Sequence, residues 1–290
     1  MDIQQQLESA LRDAQEKRFA DAERKFLSIL EQPLGERDSG TIQGLLGAVY
    51  AAMGDHAQAA VVLAEASVRN PGDASIFSNL CNCLTETGRF EDATAAGRRA
   101  IALEPDYPEA HNNLGNALKR QGDLSGAAES YRQAISLNPG YAIAHNNLGN
   151  ACFDQGDLAA AAASYREAIR LNPVYVLAHN NLGNACRGQG DFDAAVESCN
   201  RAIDLQPENP ESHKNLAVVY REMGRTEESL AQFRRALELQ PAYDDAARGI
   251  GEVYLETGRH AEGLAALRDA FGMLRFDTDA GVAVLGGTVS

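Results

Sequence analysis

The sequence repeats itself every 34 residues. The octapeptide Ala-His-Asn-Asn-Leu-Gly-Asn-Ala at 110–117 returns at 144–151 and at 178–185. Positions outside it keep the same register. Proline stands at Pro71, Pro105, Pro139, Pro173, Pro207 and Pro241, and glycine at Gly54, Gly88, Gly122, Gly156, Gly190, Gly224 and Gly258. Alanine occupies Ala66, Ala100, Ala134, Ala168, Ala202, Ala236 and Ala270. A period of this length means small units that stack and bury their apolar faces against one another, in place of a single large core.

Within a block, Leu114, Gly115 and Leu118, then Ala127, Tyr131 and Ala134, put apolar or small residues at helical spacing on two segments separated by Gly122. The glycine ends the first helix, because it takes the left-handed cap conformation without a side-chain penalty. Asp123 starts the second, its carboxylate favoured at the positive end of the helix dipole. Pro139 follows the second helix, since its ring and missing N–H cannot be continued through. Each block therefore reads as a helical hairpin whose small residues, Gly115 and Ala127, allow close approach while Tyr131 and Leu118 fill the remaining space.

Small residues at Gly115, Ala127 and Ala134, an aromatic at Tyr131 and a proline at Pro139 resemble the signature of the tetratricopeptide repeat. The resemblance runs through seven consecutive blocks and implies an all-α fold, a right-handed superhelical solenoid of helix-turn-helix repeats. Departures are local. Cys81 replaces a glycine, Gly97 an aromatic, Ser229 and Gly263 alanines, and Arg275 the last proline. The bare Gly97 predicts a looser joint.

Three regions follow. Residues 1–39 read as a degenerate N-terminal hairpin, with Leu7, Ala10, Leu11 and Ala14 on one stripe and Ala22, Phe26 and Ile29 on the other. Pro33 lies 38 residues before Pro71, so four extra residues are expected in a loop around Leu34 to Gly40. Residues 40–275 hold the seven repeats. Residues 276–290 are apolar and β-leaning, without a polar capping helix. This tail suits a partner-binding strand or the start of a further domain, and an uncapped last hairpin could also pair with another copy, making a homo-oligomer.

A formal charge of −15 argues against nucleic acid, whose phosphates require clustered Lys and Arg. No run reaches the roughly eighteen apolar residues of a membrane span, and the N-terminal residues are too charged for a secretory signal, so a cytoplasmic chain is expected. The five cysteines form no CxxC pair and take apolar slots, as buried reduced thiols would. His111, His145, His179 and His213 recur one per block, too far apart to share a metal ion, and read as packing at the core edge. No phosphate loop, nucleophile elbow or dinucleotide fingerprint is present. The expectation is a chain without metal, cofactor or catalytic residues.

With the apolar positions turned inward, the first helices leave asparagines for the groove that such a superhelix encloses. Asn79, Asn113, Asn147, Asn181 and Asn215 form one ladder at the repeat spacing. Asn112, Asn116, Asn146, Asn150, Asn180 and Asn184 flank it, with Lys119, Arg187 and Arg221 nearby. Asparagine costs a helix about 0.6 kcal/mol relative to alanine at each interior site, so its recurrence invites a reason. Its amide carries donors and an acceptor and can pair with a peptide backbone whatever the side chains. Helices stack about 8–10 Å apart and an extended chain advances about 6.6 Å per two residues, a workable match on a tilted path. The arrangement is similar to the repeat domain of O-linked N-acetylglucosamine transferase, and that resemblance implies backbone recognition of an extended peptide or protein segment. The opposing reading is a duplication that copied solvated asparagines. A clamp for a partner's terminal carboxylate, built from Lys119, Arg120, Arg187, Lys214 and Arg221, is diluted by Asp154, Glu211 and Glu222. Two further roles stay open: the substrate-recruiting arm of a larger enzyme such as a peptide-modifying glycosyltransferase, and a self-assembly module.

Overall fold

At the centre of each block the backbone does what its glycine allows. Gly122 adopts φ of +93°, and all seven turn glycines have positive φ. The turn is closed by Asp123 N–H donating to the Leu118 carbonyl at 2.9 Å. In the first hairpin Lys17 holds this left-handed position instead, with φ of +58°.

A computed structural model describes residues 3–271, 274–277 and 281–284. The chain forms two units, Met1–Gln155 and Gly156–Ser290. In the first, α1 (Ile3–Gln15) pairs with α2 (Phe19–Leu30), α3 (Glu36–Ala52) with α4 (His56–Arg69), α5 (Ala74–Glu86) with α6 (Phe90–Leu103), and α7 (Pro108–Gln121) with α8 (Leu124–Leu137); α9 (Ala142–Asp154) packs on α8. In the second, α10 (Leu158–Leu171) packs on α11 (Val176–Gly188), which pairs with α12 (Phe192–Leu205). Next come α13 (Pro210–Glu222) with α14 (Thr226–Leu239), and α15 (Asp244–Glu256) with α16 (His260–Phe271). Each unit is thus a stack of helical hairpins. Beyond α16, β1 (Leu274–Asp277) pairs antiparallel with β2 (Gly281–Val284) in a two-stranded hairpin, Leu274 opposite Val284. The β-leaning part of the tail at 276–277 and 281–284 lies in these strands, and its other residues fall outside the described ones.

Turns are started in two ways. Asp55, Asp123, Asp157 and Asp191 cap the following helix by accepting from Gln58, Gly126, Ala160 and Ala194 N–H at 2.9–3.2 Å. Such caps contribute about 1 kcal/mol each. Where arginine holds the same place, it pairs with an acid three residues on, as in Arg89 with Asp92 at 2.6 Å and Arg259 with Glu262 at 2.5 Å.

Packing is close where glycine faces an aromatic. A Cβ at Gly115 would lie 2.5 Å from a Tyr131 ring carbon, and one at Gly249 would lie 2.3 Å from the Phe233 ring. Tyr131 and Phe233 are fully buried there. Two sequence expectations change. Gly97 marks no loose joint, because Cys81 and Leu114 close over it and a Cβ there would meet them at 3.0 and 3.2 Å. The extra residues after Pro33 make no long loop: from Glu36 they lengthen α3 to 17 residues, a further turn of helix.

Candidate functional site

The histidines fix the joints between blocks. Nε2 of His111, His145, His179 and His213 lies 2.9–3.2 Å from the carbonyl of Pro105, Pro139, Pro173 and Pro207, six residues earlier in each case. That nitrogen therefore carries the proton and donates. No cluster of three His, Cys, Asp or Glu suited to a metal occurs among the described residues.

The first helices carry the asparagines, and the structure separates them into two sets. Asn112, Asn146 and Asn180 are buried, at 4%, 3% and 1% exposure, as is Asn215 at 2%. At that exposure these four candidate peptide contacts present little surface, and they are left out of the contacts proposed below. Asn79, Asn113, Asn116, Asn147, Asn150, Asn181 and Asn184 are half-buried and keep a solvent face.

Two of the ladder positions are tied to the preceding first helix. In the first unit, Asn113 Nδ2 on α7 donates to the carbonyl and hydroxyl of Ser78 on α5, at 3.2 and 3.1 Å. Asn147 Nδ2 on α9 donates to Oδ1 of Asn112 at 3.0 Å and of Asn116 at 3.3 Å on α7. Asn116 Oδ1 also accepts from the Tyr131 hydroxyl at 2.8 Å. Burial holds the Tyr131 hydroxyl well above the ordinary phenol range, with the Asp154 charge adding to it, so it remains a donor. Asn113 and Asn147 thus each reach a polar residue 35 positions earlier, in the preceding first helix. In the second unit Asn180 Nδ2 donates to Ser212 Oγ at 2.9 Å. Asn180 Oδ1 and Asn215 Nδ2, at the same 35-residue separation, are left without a protein partner among the described residues.

The three cations also act between successive first helices. Lys119 pairs with Asp154 at 3.0 Å, Arg187 with Glu222 at 2.5 Å, and Arg221 with Glu252. Sequence reasoning treated Asp154 and Glu222 as diluting a cationic field; the structure makes them, with Glu252, direct partners. Ser78 and Ser212 were missed altogether, and Tyr131 was read as core packing without its bond to Asn116. A detectable signal was present: a polar residue immediately before the ladder position in the preceding block.

On each unit, then, the first-helix face offers half-exposed amides and neutralised ion pairs. Asn79 on α5 and Asn184 on α11 make no side-chain hydrogen bond among the described residues. The remaining amides present whatever capacity their bonds to neighbours leave over. Such a surface can exchange hydrogen bonds with a backbone and has little to offer a strongly charged ligand.

Helical hairpins stacked at a 34-residue period define a solenoid repeat protein. A family model described as tetratricopeptide repeat matches residues 112–176, 153–210 and 214–273, and two further models of TPR repeats match 81–122 and 42–65. The chain belongs to the tetratricopeptide repeat family. Among solved structures it resembles a chain of the APC/C hetero-tetramer Cut9-Hcn1, with 17% identity over 87% of this chain and 49% of that one and a TM-score of 0.67. It therefore spans about half the length of that chain. A MamA crystal structure matches with 26% identity, 58% of this chain and 92% of that one, and a TM-score of 0.52. No curated protein matches the sequence. No helix among the described residues is long and apolar enough to cross a membrane.

Proposed function

We propose that the chain is a non-catalytic protein-interaction scaffold whose first-helix faces hold an extended peptide, or an extended segment of a protein, by its backbone. What carries the reading is the pairing of half-exposed amides with cations already neutralised by Asp154, Glu222 and Glu252. Such a face suits neutral backbone groups better than a carboxylate. The likeness of the asparagine row to that of O-linked N-acetylglucosamine transferase supports it as well. The contacts proposed are Asn79, Asn113, Asn116, Asn147 and Asn150 on the first unit and Asn181 and Asn184 on the second, with Lys119, Arg187 and Arg221 bordering them.

The test is a peptide library screened against the wild type, followed by affinity measurements on the selected peptides with Asn79→Ala and Asn184→Ala. These two amides support no neighbouring helix, so their loss leaves the stack intact. Each lost backbone contact is worth about 1 kcal/mol, a roughly fivefold loss of affinity. Unchanged affinity in both variants rejects the reading.

A further inference from the structure

The outer face of α4 breaks the pattern of its own array. Ala57, Val61, Ala64 and Val68 are all exposed, Val61 at 56% and Val68 at 80%. Their spacing of four, three and four residues puts them on one stripe. In the other blocks the same four positions always include charge: Glu91, Ala95, Arg98 and Ala102 on α6; Ser125, Glu129, Arg132 and Ser136 on α8; Ala159, Ala163, Arg166 and Arg170 on α10. On α12 they are Asp193, Glu197, Asn200 and Asp204, and on α14 Glu227, Ala231, Arg234 and Glu238. Arginine or asparagine fills the third position in these five, where α4 has Ala64. The stripe also borders a cavity of about 340 Å³ over α5, whose apolar lining of Ala64, Phe77, Leu80 and Leu84 is flanked by the charged Arg89, Asp92 and Arg99.

We infer that this face of α4 binds a second copy of the chain, with α4 antiparallel to α4 about a twofold axis between Val61 and Ala64. The stripe is complementary to itself in that arrangement. Ala57 meets the partner's Val68 and Val61 meets the partner's Ala64, small against large at each of the four contacts. On one flank Gln58 faces the partner's Glu65, so an amide meets a carboxylate and no like charges are opposed. Glu65 Oε2 already accepts from Gln43 at 3.0 Å, which holds the carboxylate in place. Isologous pairing of this kind closes at a dimer. One helix pair buries less than the roughly 800 Å² per partner of a stable complex, so the dissociation constant should be on the order of 100 µM. The charge of −15 on each copy opposes approach over distance, so salt should strengthen the dimer by screening that repulsion.

Sedimentation equilibrium of the full chain from 10 µM to 1 mM tests this, alongside Val61→Lys/Val68→Lys and the milder Val61→Thr/Val68→Thr, each checked for an unchanged helical spectrum. The expected result is a wild-type monomer–dimer equilibrium, tighter in 500 mM than in 50 mM NaCl, and at least tenfold weaker association in both variants. A wild type that stays monomeric to 1 mM overturns the inference. So does association that the variants retain, which would move it to another surface, or dimerisation that salt dissolves. Orientation is read by cross-linking: Ala57→Cys and Val68→Cys chains should form a disulfide when mixed. Ala57→Cys alone should not, because its two copies would stand about 16 Å apart along the axis at about 1.5 Å per residue. Equal homodisulfides from each chain alone would overturn the antiparallel register. The native thiols are buried and do not compete.

Discussion

Replacing Asn147 by alanine separates a structural asparagine from a merely tolerated one. Helix propensity alone favours the change by about 0.6 kcal/mol. Against that stand two hydrogen bonds from Nδ2, to Asn112 at 3.0 Å and Asn116 at 3.3 Å, worth about 1 kcal/mol each in net terms. Asn112 Oδ1 would also be stranded in a site that is 4% exposed, where an unpaired acceptor costs about 1–3 kcal/mol. The Tyr131 hydroxyl keeps Asn116 occupied, so that acceptor is not stranded. These terms overlap, and their balance is a loss of about 1–3 kcal/mol. Urea unfolding followed by helical circular dichroism measures it. A cycle with Asn112→Ala should give a coupling of about 0.5–1.5 kcal/mol. Asn79→Ala is the control with the opposite sign: its amide bonds no neighbour, and alanine should stabilise by a few tenths of a kcal/mol. An Asn147→Ala chain as stable as the wild type, or a coupling of zero, would refute the inter-repeat role.

Three further outcomes follow from the packing and electrostatics. Gly115→Ala places a methyl 2.5 Å from the Tyr131 ring and should destabilise by about 1–3 kcal/mol in the same assay, with Tyr131→Leu in the same chain recovering part of the loss. Asp13 is held below the ordinary carboxylate range by hydrogen bonds from Lys25 and then Arg18. A depressed folded pKa contributes stability above the unfolded value and loses it as pH falls through the folded one. The melting temperature should therefore exceed that of Asp13→Asn at pH 7, and the difference should vanish below the normal aspartate range. Burial pushes the thiols of Cys81 and Cys199 up to about 12 and that of Cys83 up to about 11, so a thiol reagent at pH 8 should find these three unreactive in native protein and all five cysteines reactive in urea.

The fold was legible because its determinants are local. A glycine at the turn, a capping aspartate and a proline after the second helix each act within a few residues of themselves, and the period repeats the message. What the sequence concealed depends on the next hairpin. Asn112 and Asn146 look like solvated groove residues in sequence, yet both are buried, and the target of Asn147 lies 35 residues away. Gly97 suggested a hole, yet Cys81 and Leu114 come from other helices to fill it. Lys119, Arg187 and Arg221 stand beside acids that dilute them in sequence, but which acid each one pairs with depends on the following first helix. The four extra residues at the start of α3 suggested a loop, since nothing in Glu36 to Gly40 announces that the helix starts a turn early.

The most direct test of the scaffold reading is fluorescence anisotropy with peptides selected on the wild type, titrated against two double variants of the full chain. Asn79→Ala/Asn184→Ala removes amides from the first-helix faces, and Val61→Lys/Val68→Lys alters only the outer face of α4. The account predicts that the first variant binds at least fivefold more weakly and the second binds as the wild type does. The reverse pattern would place recognition on the outer helices and contradict the first-helix faces as the peptide site.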